Sequence, residues 1–240
     1  MTGVQAPGDG TGDGDGEVRY IRAGAARLAY RAWGSPSAPP SVLLHALGEE
    51  SSDWAPVAEA FTDSRRVYAL DLRGHGASDW AGPYTIEQLT TDLAAFLDAL
   101  SLDRVTLAGH SLGAAPSYLY AARFPARVTR LVLEDPAPPW MRAPRFPDRP
   151  GGPLAFDWGV TALSNEFTEP QVSSWRSSLP RITAATLIVA GGPASHVNQG
   201  RLAELAALIP DCRLITIPAG HLVHAARPAE FTAAIARFLG

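Results

Sequence analysis

The chain has 240 residues, of which 46% are hydrophobic and 18% charged, and this length favours one domain with one sizeable core. Its 20 basic and 24 acidic residues give a net charge of −4, which argues against a general nucleic-acid binder with its basic surface. The single cysteine, Cys212, excludes an internal disulfide and a multi-cysteine metal site, and we expect a buried, inert thiol. We find no run of about 18 apolar residues that would span a membrane and no secretory signal, so we expect a cytoplasmic protein.

The first 16 residues predict a disordered tail, because six glycines and three aspartates leave almost nothing to bury. After the tail, alternating apolar and polar residues in 18–22 and 27–33 predict an antiparallel hairpin around Gly24. Six short apolar runs follow, and such runs are typical of parallel strands that are buried on both faces. These runs are 41–46, 66–70, 105–108, 130–133, 186–190 and 213–217.

Segments in which apolar residues have helical spacing lie between these runs and after the last one. The clearest are 86–100, 202–209 and 231–239. Alternation of strands and helices with short links predicts an α/β fold, with a doubly wound, mostly parallel sheet and flanking helices. Its core would be formed by 17–135 and 181–240.

The alternation is interrupted once, over residues 136–180. Seven prolines lie in 136–153, and the segment as a whole carries three of the six tryptophans. Because disordered linkers are depleted in aromatic residues, we interpret this insertion as a lid over a functional site. We expect Trp140, Trp158 and Trp175 to line an apolar cleft that binds substrate.

The motif with the clearest chemical meaning is Gly109-His110-Ser111-Leu112-Gly113, which follows a predicted strand and precedes a predicted helix. This is the G-x-S-x-G nucleophile elbow in the strand–turn–helix setting that it requires. The sharp turn leaves no room for side chains beside the serine and strains its backbone. The serine hydroxyl then projects at a helix N-terminus, where free N–H groups favour developing negative charge.

With this motif in place, the sequence resembles the α/β-hydrolase superfamily over nearly its whole length after the tail. The resemblance is carried by 43–54 (LLHALGEESSDW), 69–80 (ALDLRGHGASDW), 107–115 (LAGHSLGAA), 130–138 (RLVLEDPAP) and 217–231 (IPAGHLVHAARPAEF). The order of features is also similar: an oxyanion loop after the third strand, an acidic loop after the fourth, the elbow, a lid and a late histidine.

The resemblance implies that Ser111 is the nucleophile and that His221 is the general base. A hydroxyl at its free pKa is a poor nucleophile, so an imidazole within hydrogen-bond reach must accept its proton. His221 lies between the last predicted strand and the last predicted helix. The loop that carries it therefore belongs to the same edge of the sheet as Ser111.

The resemblance also implies an oxyanion hole formed by the backbone N–H groups of Leu47 and Leu112. This chain departs from the family here, because the usual His-Gly of the oxyanion loop is His-Ala at 45–46. An extra methyl group beside the hole could narrow it. The neighbouring Glu49 and Glu50 are adjacent in sequence and point apart, so we interpret them as part of a solvated loop.

The acid that should orient His221 is absent from its usual place. Most of the superfamily carries it in a Gly-x-x-Asp pattern after the lid, whereas residues 184–202 of this chain contain no carboxylate. Haloalkane dehalogenases and a group of lactone hydrolases place it after the strand that precedes the lid. There this chain has Glu134 and Asp135. We favour Asp135 as the acid and keep Glu134, or a water with a backbone carbonyl, as the alternatives.

The other histidines have less specific interpretations. His45, His75 and His110 match structural positions in the loops of the family. His221 and His224 have a spacing that two metal ligands could share, but no carboxylate or thiol accompanies them at ligand spacing. We therefore expect no metal and no other cofactor.

The sequence therefore predicts a metal-free serine hydrolase that cleaves an ester, lactone or thioester of a hydrophobic small molecule through an acyl-serine intermediate. Two alternatives stay open: non-hydrolytic chemistry on the same triad, such as cyclisation, acyl transfer or C–C cleavage, and a catalytically weak binding module. The expected partner is the small-molecule substrate, without nucleic acid or membrane, and a homodimer is left open.

Overall fold

The computed structural model describes residues 16–240 of the chain. The predicted tail, residues 1–16, lies outside the described residues except for Gly16. The N–H of Gly16 donates to the carbonyl oxygen of Ala32 at 3.0 Å, so this last residue of the predicted tail is paired with the fold.

Eight strands form a single sheet in the order β1-β2-β4-β3-β5-β6-β7-β8. Strand β1 pairs antiparallel with β2, β2 pairs antiparallel with β4, and the remaining pairs are parallel. The predicted α/β fold with a mostly parallel sheet is therefore confirmed. The strands are β1 (Arg19–Ala23), β2 (Ala26–Trp33), β3 (Pro40–Leu44), β4 (Arg66–Leu70), β5 (Val105–His110), β6 (Val128–Glu134), β7 (Ala185–Ala190) and β8 (Cys212–Thr216).

Helices cover both faces of the sheet. The α-helices are α1 (Ala55–Glu59), α2 (Ile86–Ala99), α3 (Ala114–Arg123), α4 (Gln171–Ser178), α5 (Gln199–Leu208), α6 (Val223–Ala226) and α7 (Pro228–Leu239). Four short 3₁₀ helices span Ser51–Trp54, Pro125–Arg127, Trp158–Glu166 and Leu179–Arg181. No helix in the described range is long and apolar enough to cross a membrane.

The sheet separates two apolar cores, as expected for strands that are buried on both faces. Alternate residues of one strand enter different cores: in β6, Leu131 and Leu133 join the core beneath α2 and α3, whereas Val132 joins the core beneath α1 and α7. Phe96 of α2 and Phe231 of α7, both fully buried, are large members of the two cores. The single cysteine, Cys212, is partly buried, and burial raises the pKa of its thiol to about 12.

The carboxyl ends of β5, β6 and β7 meet at one edge of the sheet, which is where ligands bind in open α/β folds. The elbow follows β5, the predicted lid segment follows β6, and the loop 191–198 follows β7. The loop 217–222 follows β8 at the same edge. The fold therefore collects the loops that carry the predicted site residues.

Candidate active site

Ser111 occupies the sharp turn between β5 and α3. Its φ of +48° lies in the left-handed region, which costs a residue with a side chain about 1–2 kcal/mol. The N–H of Ser111 donates to the carbonyl oxygen of Glu134 at 3.0 Å, which ties the turn to the end of β6. Backbone strain that the surrounding structure maintains in this way is typical of functional sites.

Glycines at two positions allow the turn to close. A Cβ on Gly109 would collide with the carbonyl oxygen of Gly113, and a Cβ on Gly113 would lie 2.5 Å from the carbonyl oxygen of Leu44. The N–H of Gly113 also donates to the carbonyl oxygen of His45 at 3.1 Å, so the elbow packs directly against the loop after β3. Both glycines of the motif are therefore required on steric grounds, as the sequence predicted.

Asp135 lies directly against His221. The Nδ1 atom of His221 is 2.6 Å from Oδ2 of Asp135, and the Asp135 side chain is fully buried. Asp135 has a φ of +37°, so the chain turns sharply where β6 ends and directs this carboxylate towards the His221 loop. This is the contact that a base-orienting acid requires.

The loop after β7, in which the sequence lacks a carboxylate, instead holds Asp135 in place. The N–H of Gly191 donates to Oδ1 of Asp135 at 3.0 Å, Ser195 Oγ donates to Oδ2, and Nε2 of Gln199 lies 3.4 Å from Oδ1. Burial alone would raise the pKa of Asp135, but the hydrogen bonds from His221, Ser195, Gly191 and Gln199 hold it below its usual value.

Sequence reasoning missed Ser195 and Gln199 as supports of the acid. The signal for them was weak, since a hydroxyl and an amide in a polar loop are common. Only the position of that loop, at the place where the family usually carries the acid itself, could have indicated their role.

Glu134, the alternative acid, does not contact His221. Its carboxylate accepts hydrogen bonds from the backbone N–H of His224 at 2.8 Å and from Nδ1 of His224 at 2.8 and 2.9 Å. Successive residues at the end of a strand point to opposite faces, which explains why Glu134 and Asp135 have different partners. The ring of His224 stacks on Trp54 with centroids 4.4 Å apart, so this pair is enclosed in the core.

Glu49 is not part of a solvated loop, and that interpretation was wrong. Its Oε2 lies 3.0 Å from Nδ1 of His110 and accepts the N–H of Ala46 at 2.9 Å. The other ring nitrogen of His110 donates to the carbonyl oxygen of His221 at 2.9 Å. Both nitrogens of His110 therefore face acceptors, which favours the protonated ring and ties it to the residue that carries the general base.

The pKa shifts of Glu49 and His110 agree with the geometry of their contact. Burial alone would lower the pKa of His110, but the charge of Glu134 and the hydrogen bond to Glu49 raise it to about 9. Burial alone would raise the pKa of Glu49, yet its contact with His110 lowers that pKa to about 2. We conclude that a buried ion pair lies beneath the His221 loop at neutral pH.

Changing Glu49 to glutamine should lower thermal stability at neutral pH, because His110 loses its charged partner. The loss should be about 2 kcal/mol, typical of a hydrogen bond between charged groups. The stabilisation from protonated His110 is fully present below its unfolded pKa of 6.5 and disappears as the pH rises through about 9. The difference in Tm between wild type and Glu49→Gln should therefore shrink between pH 6.5 and 9. Glu50→Gln is the control, and a difference in Tm that is independent of pH would contradict the ion pair.

Three of these side chains also have the composition of a metal site. The ligand atoms of His110, Glu134 and His224, all buried, lie within 4.8 Å of one another. The Nδ1 atoms of both histidines face carboxylates, and Nε2 of His110 donates to a backbone carbonyl. A metal ion would have to replace these hydrogen bonds, so the donor set fits a hydrogen-bond network better than a metal centre. That the enzyme uses no metal stays a prediction.

The backbone N–H groups of Leu47 and Leu112 have no hydrogen-bond acceptor among residues 16–240. Leu47 lies on the loop after β3, in which the carbonyl oxygen of His45 accepts the N–H of Gly113. Leu112 directly follows Ser111. His45 braces the same loop, because its Nε2 accepts the N–H of Leu72 at 2.9 Å and its Nδ1 donates to the carbonyl oxygen of Ala46. Unpaired N–H groups on braced loops are suitable donors to an oxyanion.

A cleft of about 450 Å³ opens beside Ser111. Trp140 and Met141 supply apolar surface to it, as predicted for Trp140. Trp158 and Trp175 are not among its lining residues, so the structure does not place these two where the sequence analysis expected them. Their surroundings explain the difference. The Trp175 ring packs edge-on against Phe167 in the core, and the Trp158 ring lies beside Phe156.

Residues 39–159 match the family model described as the alpha/beta hydrolase fold. The chain is 32% identical to Lipase LipV of Mycobacterium tuberculosis, with 85% of this chain and 95% of that protein covered. It is 27% identical to 3-oxoadipate enol-lactonase 2 of Acinetobacter baylyi, with 87% and 91% covered.

A solved structure shows the same architecture. A hydrolase from Pseudomonas aeruginosa has a sequence 29% identical to this chain, and its crystal structure superposes with a TM-score of 0.75. The match covers 95% of this chain and all of that one. The similarity therefore extends over the sheet and the loops at its carboxyl edge, and it is not confined to the elbow.

Proposed function

Because this chain belongs to the alpha/beta hydrolase fold family, we propose that it hydrolyses carboxylic ester-type bonds through a covalent acyl intermediate on Ser111. The observation that carries the proposal is the 2.6 Å contact between Nδ1 of His221 and the buried carboxylate of Asp135, at the sheet edge that presents Ser111 in a strained turn. A nucleophile, a base and an acid that orients the base are the parts that acyl transfer to serine requires.

In the proposed reaction, Oγ of Ser111 attacks the carbonyl carbon while Nε2 of His221 accepts its proton. The carbonyl oxygen becomes an oxyanion, which the N–H groups of Leu47 and Leu112 stabilise. Asp135 accepts the Nδ1–H of His221 and balances the imidazolium charge. His221 then protonates the leaving alcohol or thiol as its bond to the acyl carbon breaks. Water attacks the acyl-serine with His221 as base, which releases the acid and restores the hydroxyl of Ser111.

The proposed substrates are esters, lactones or thioesters of small molecules. Two similar proteins bear the names of a lipase and an enol-lactonase, so open-chain and cyclic esters both deserve testing. Trp140 and Met141 offer apolar surface for part of such a molecule. The remaining lining includes arginine, histidine and asparagine side chains, so it is more polar than the apolar cleft that the sequence suggested.

A substrate panel tests the proposal. Purified protein should be assayed with 4-nitrophenyl esters, γ- and δ-lactones and acyl thioesters, with Ser111→Ala as the blank and products identified by mass spectrometry. We expect wild-type protein to release free acid from at least one class of substrate, and we expect Ser111→Ala to release none above the spontaneous rate. Acyl transfer or cyclisation would instead give a product without added water. No turnover, together with no labelling of Ser111 by a fluorophosphonate, would favour a binding module.

A further inference from the structure

We propose that the cleft beside Ser111 selects substrates that carry an anionic oxygen group, a carboxylate or a phosphate, at a distance from the bond that is cleaved. This inference rests on the proposed function, since it names the substrate class of the same site. It replaces the expectation of a purely hydrophobic substrate.

The lining of the cleft is rich in positive charge. It includes Arg142, Arg145 and Arg201 and contains no aspartate or glutamate. The chain as a whole carries a net charge of −4, so this local excess of arginine is opposite in sign to the average. A cleft lined by one sign of charge raises the local concentration of ligands of the other sign.

Two of these arginines have no acidic partner among the residues that the structure describes. Within the described part of the chain, no carboxylate oxygen forms an ion pair with Arg142 or Arg145, whereas Arg201 pairs with Glu204 at 2.8 Å. Partial burial lowers the pKa of Arg142, and the nearby charge of Arg145 lowers it further. Both residues are nevertheless exposed to solvent, so their two like charges are accessible to an anionic ligand in the cleft.

The segment that carries the two arginines is held in place. The N–H of Arg142 donates to the carbonyl oxygen of Phe167 at 3.0 Å, and its guanidinium lies 4.1 Å from the centroid of the Phe167 ring. The backbone of Arg145 is bound on both sides by Asn165, whose Oδ1 accepts its N–H at 2.7 Å and whose Nδ2 donates to its carbonyl oxygen at 3.0 Å. Their positions are therefore set by the fold.

The arginines also act on the catalytic end of the cleft. His196 lines the same cleft, and its ring centroid is 4.1 Å from that of His221. Burial lowers the pKa of His196, and the charges of His221, Arg142 and Arg145 contribute in the same direction. His196 therefore connects the arginine wall with the general base. An ester bound at Ser111 would have its remote end within the field of both guanidinium groups.

Guanidinium groups recognise carboxylates and phosphates through paired N–H donors, which gives them geometric selectivity for such groups. A neutral ester of the same length would leave the two charges unbalanced. The arginines should therefore affect the specificity constant for charged esters, and they should have little effect on neutral ones.

The test compares esters matched in length and leaving group. The probes are 4-nitrophenyl hydrogen glutarate, its phosphonate analogue and neutral 4-nitrophenyl pentanoate. We expect kcat/KM to be at least about 10-fold higher for one of the charged esters than for the neutral one, which corresponds to about 1.4 kcal/mol. Added salt should reduce the ratio, because it screens exposed charges. The two charged probes distinguish a carboxylate from a phosphate.

In the variant Arg142→Ala/Arg145→Ala, the preference for the charged ester should be lost because KM for that ester rises. The kcat for the neutral ester should stay within about 3-fold of the wild-type value. Arg104→Ala is the matched control, because it removes an exposed arginine just before β5, at the opposite edge of the sheet. It should change kcat/KM for neither the charged nor the neutral ester. Equal kcat/KM for charged and neutral esters in the wild type, or a preference that survives the double variant, would overturn the inference.

A binding measurement separates this inference from the proposed function. Glutarate should bind to Ser111→Ala in a calorimetric titration, and the additional Arg142→Ala/Arg145→Ala changes should weaken binding at least about 10-fold. If no ester is cleaved but this difference in binding appears, the proposed function fails and the anion site stands. If neutral and charged esters are cleaved equally well and glutarate does not bind, the proposed function stands and the anion site fails.

Discussion

Replacing Ser111 by alanine is expected to lower kcat for ester hydrolysis by about 10⁴-fold to 10⁶-fold, the range seen when the nucleophile of a serine triad is removed. The physical reason is that the variant lacks the hydroxyl that Ser111 presents in a strained turn, beside the unpaired backbone N–H of Leu112. Binding should be retained, since the missing Oγ contributes little contact surface. Steady-state kinetics with a 4-nitrophenyl ester, after removal of contaminating esterases, measures the effect.

Ser117→Ala provides the matched control for this substitution. Ser117 is fully buried on α3, one helical turn beyond the elbow, and its Oγ donates to the carbonyl oxygen of Gly113 at 2.7 Å. Its loss should cost about 1 kcal/mol of stability, the usual worth of one hydrogen bond, and leave kcat nearly unchanged. Residual activity in Ser111→Ala above about one per cent of wild type would contradict the assignment of the nucleophile, since such a change should cost far more.

Replacing Asp135 by asparagine is expected to lower kcat by about 10⁴-fold with little change in KM, as in serine triads whose acid is neutralised. The amide keeps the shape of the side chain, but it cannot balance an imidazolium charge, and its NH₂ group would face Nδ1 of His221 and favour the wrong tautomer. The buried position of Asp135, with no solvent to replace the lost charge, makes the effect large.

Two other buried carboxylates separate this catalytic effect from lost stability. Asp92 accepts hydrogen bonds from the guanidinium of Arg73 at 2.6 and 2.7 Å and forms none with Ser111, His221 or Asp135, so Asp92→Asn should lower Tm and leave kcat unchanged. Glu134→Gln should also lower Tm, because it removes a carboxylate oxygen that accepts hydrogen bonds from buried His224, but it should retain most of the activity. If Glu134→Gln proves as inactive as Asp135→Asn, while both stay folded by circular dichroism, the orienting role would not belong to Asp135 alone.

The sheet and the order of its loops could be predicted because apolar runs and helical spacing are local features. All six predicted parallel runs overlap their strands to within two residues at each end, as in 66–70 and β4. The elbow was predictable for the same reason, since its five residues are contiguous in the sequence.

Contacts that depend on how distant loops meet could not be predicted in this way. Glu49 and His110 are 61 positions apart, and nothing in the local sequence indicates that they form a pair. The lid tryptophans show the same limit. Amphipathic aromatic residues serve a core or a cleft equally well. Trp140 and Trp175 are both buried in the same core, and only packing decides that Trp140 also lines the cleft.

Asp135 lies between these two cases. Its position after β6 could be read from the sequence, but its preference over Glu134 depended on which way the chain turns at the end of the strand. The positive φ of Asp135 and the hydrogen bonds from the loop after β7 determine that direction, and neither leaves a clear trace in the sequence.

Trapping the acyl intermediate tests directly whether Ser111 is the nucleophile. Wild-type protein should be mixed with an excess of a slowly hydrolysed 4-nitrophenyl ester, quenched in acid within seconds, and examined by intact-mass and peptide mass spectrometry. We expect a mass increase equal to one acyl group, located on the peptide that contains Ser111 and absent from Ser111→Ala. Asp135→Asn should form the same adduct far more slowly. An acyl group on any other residue, or turnover that persists in Ser111→Ala, would contradict this role of Ser111.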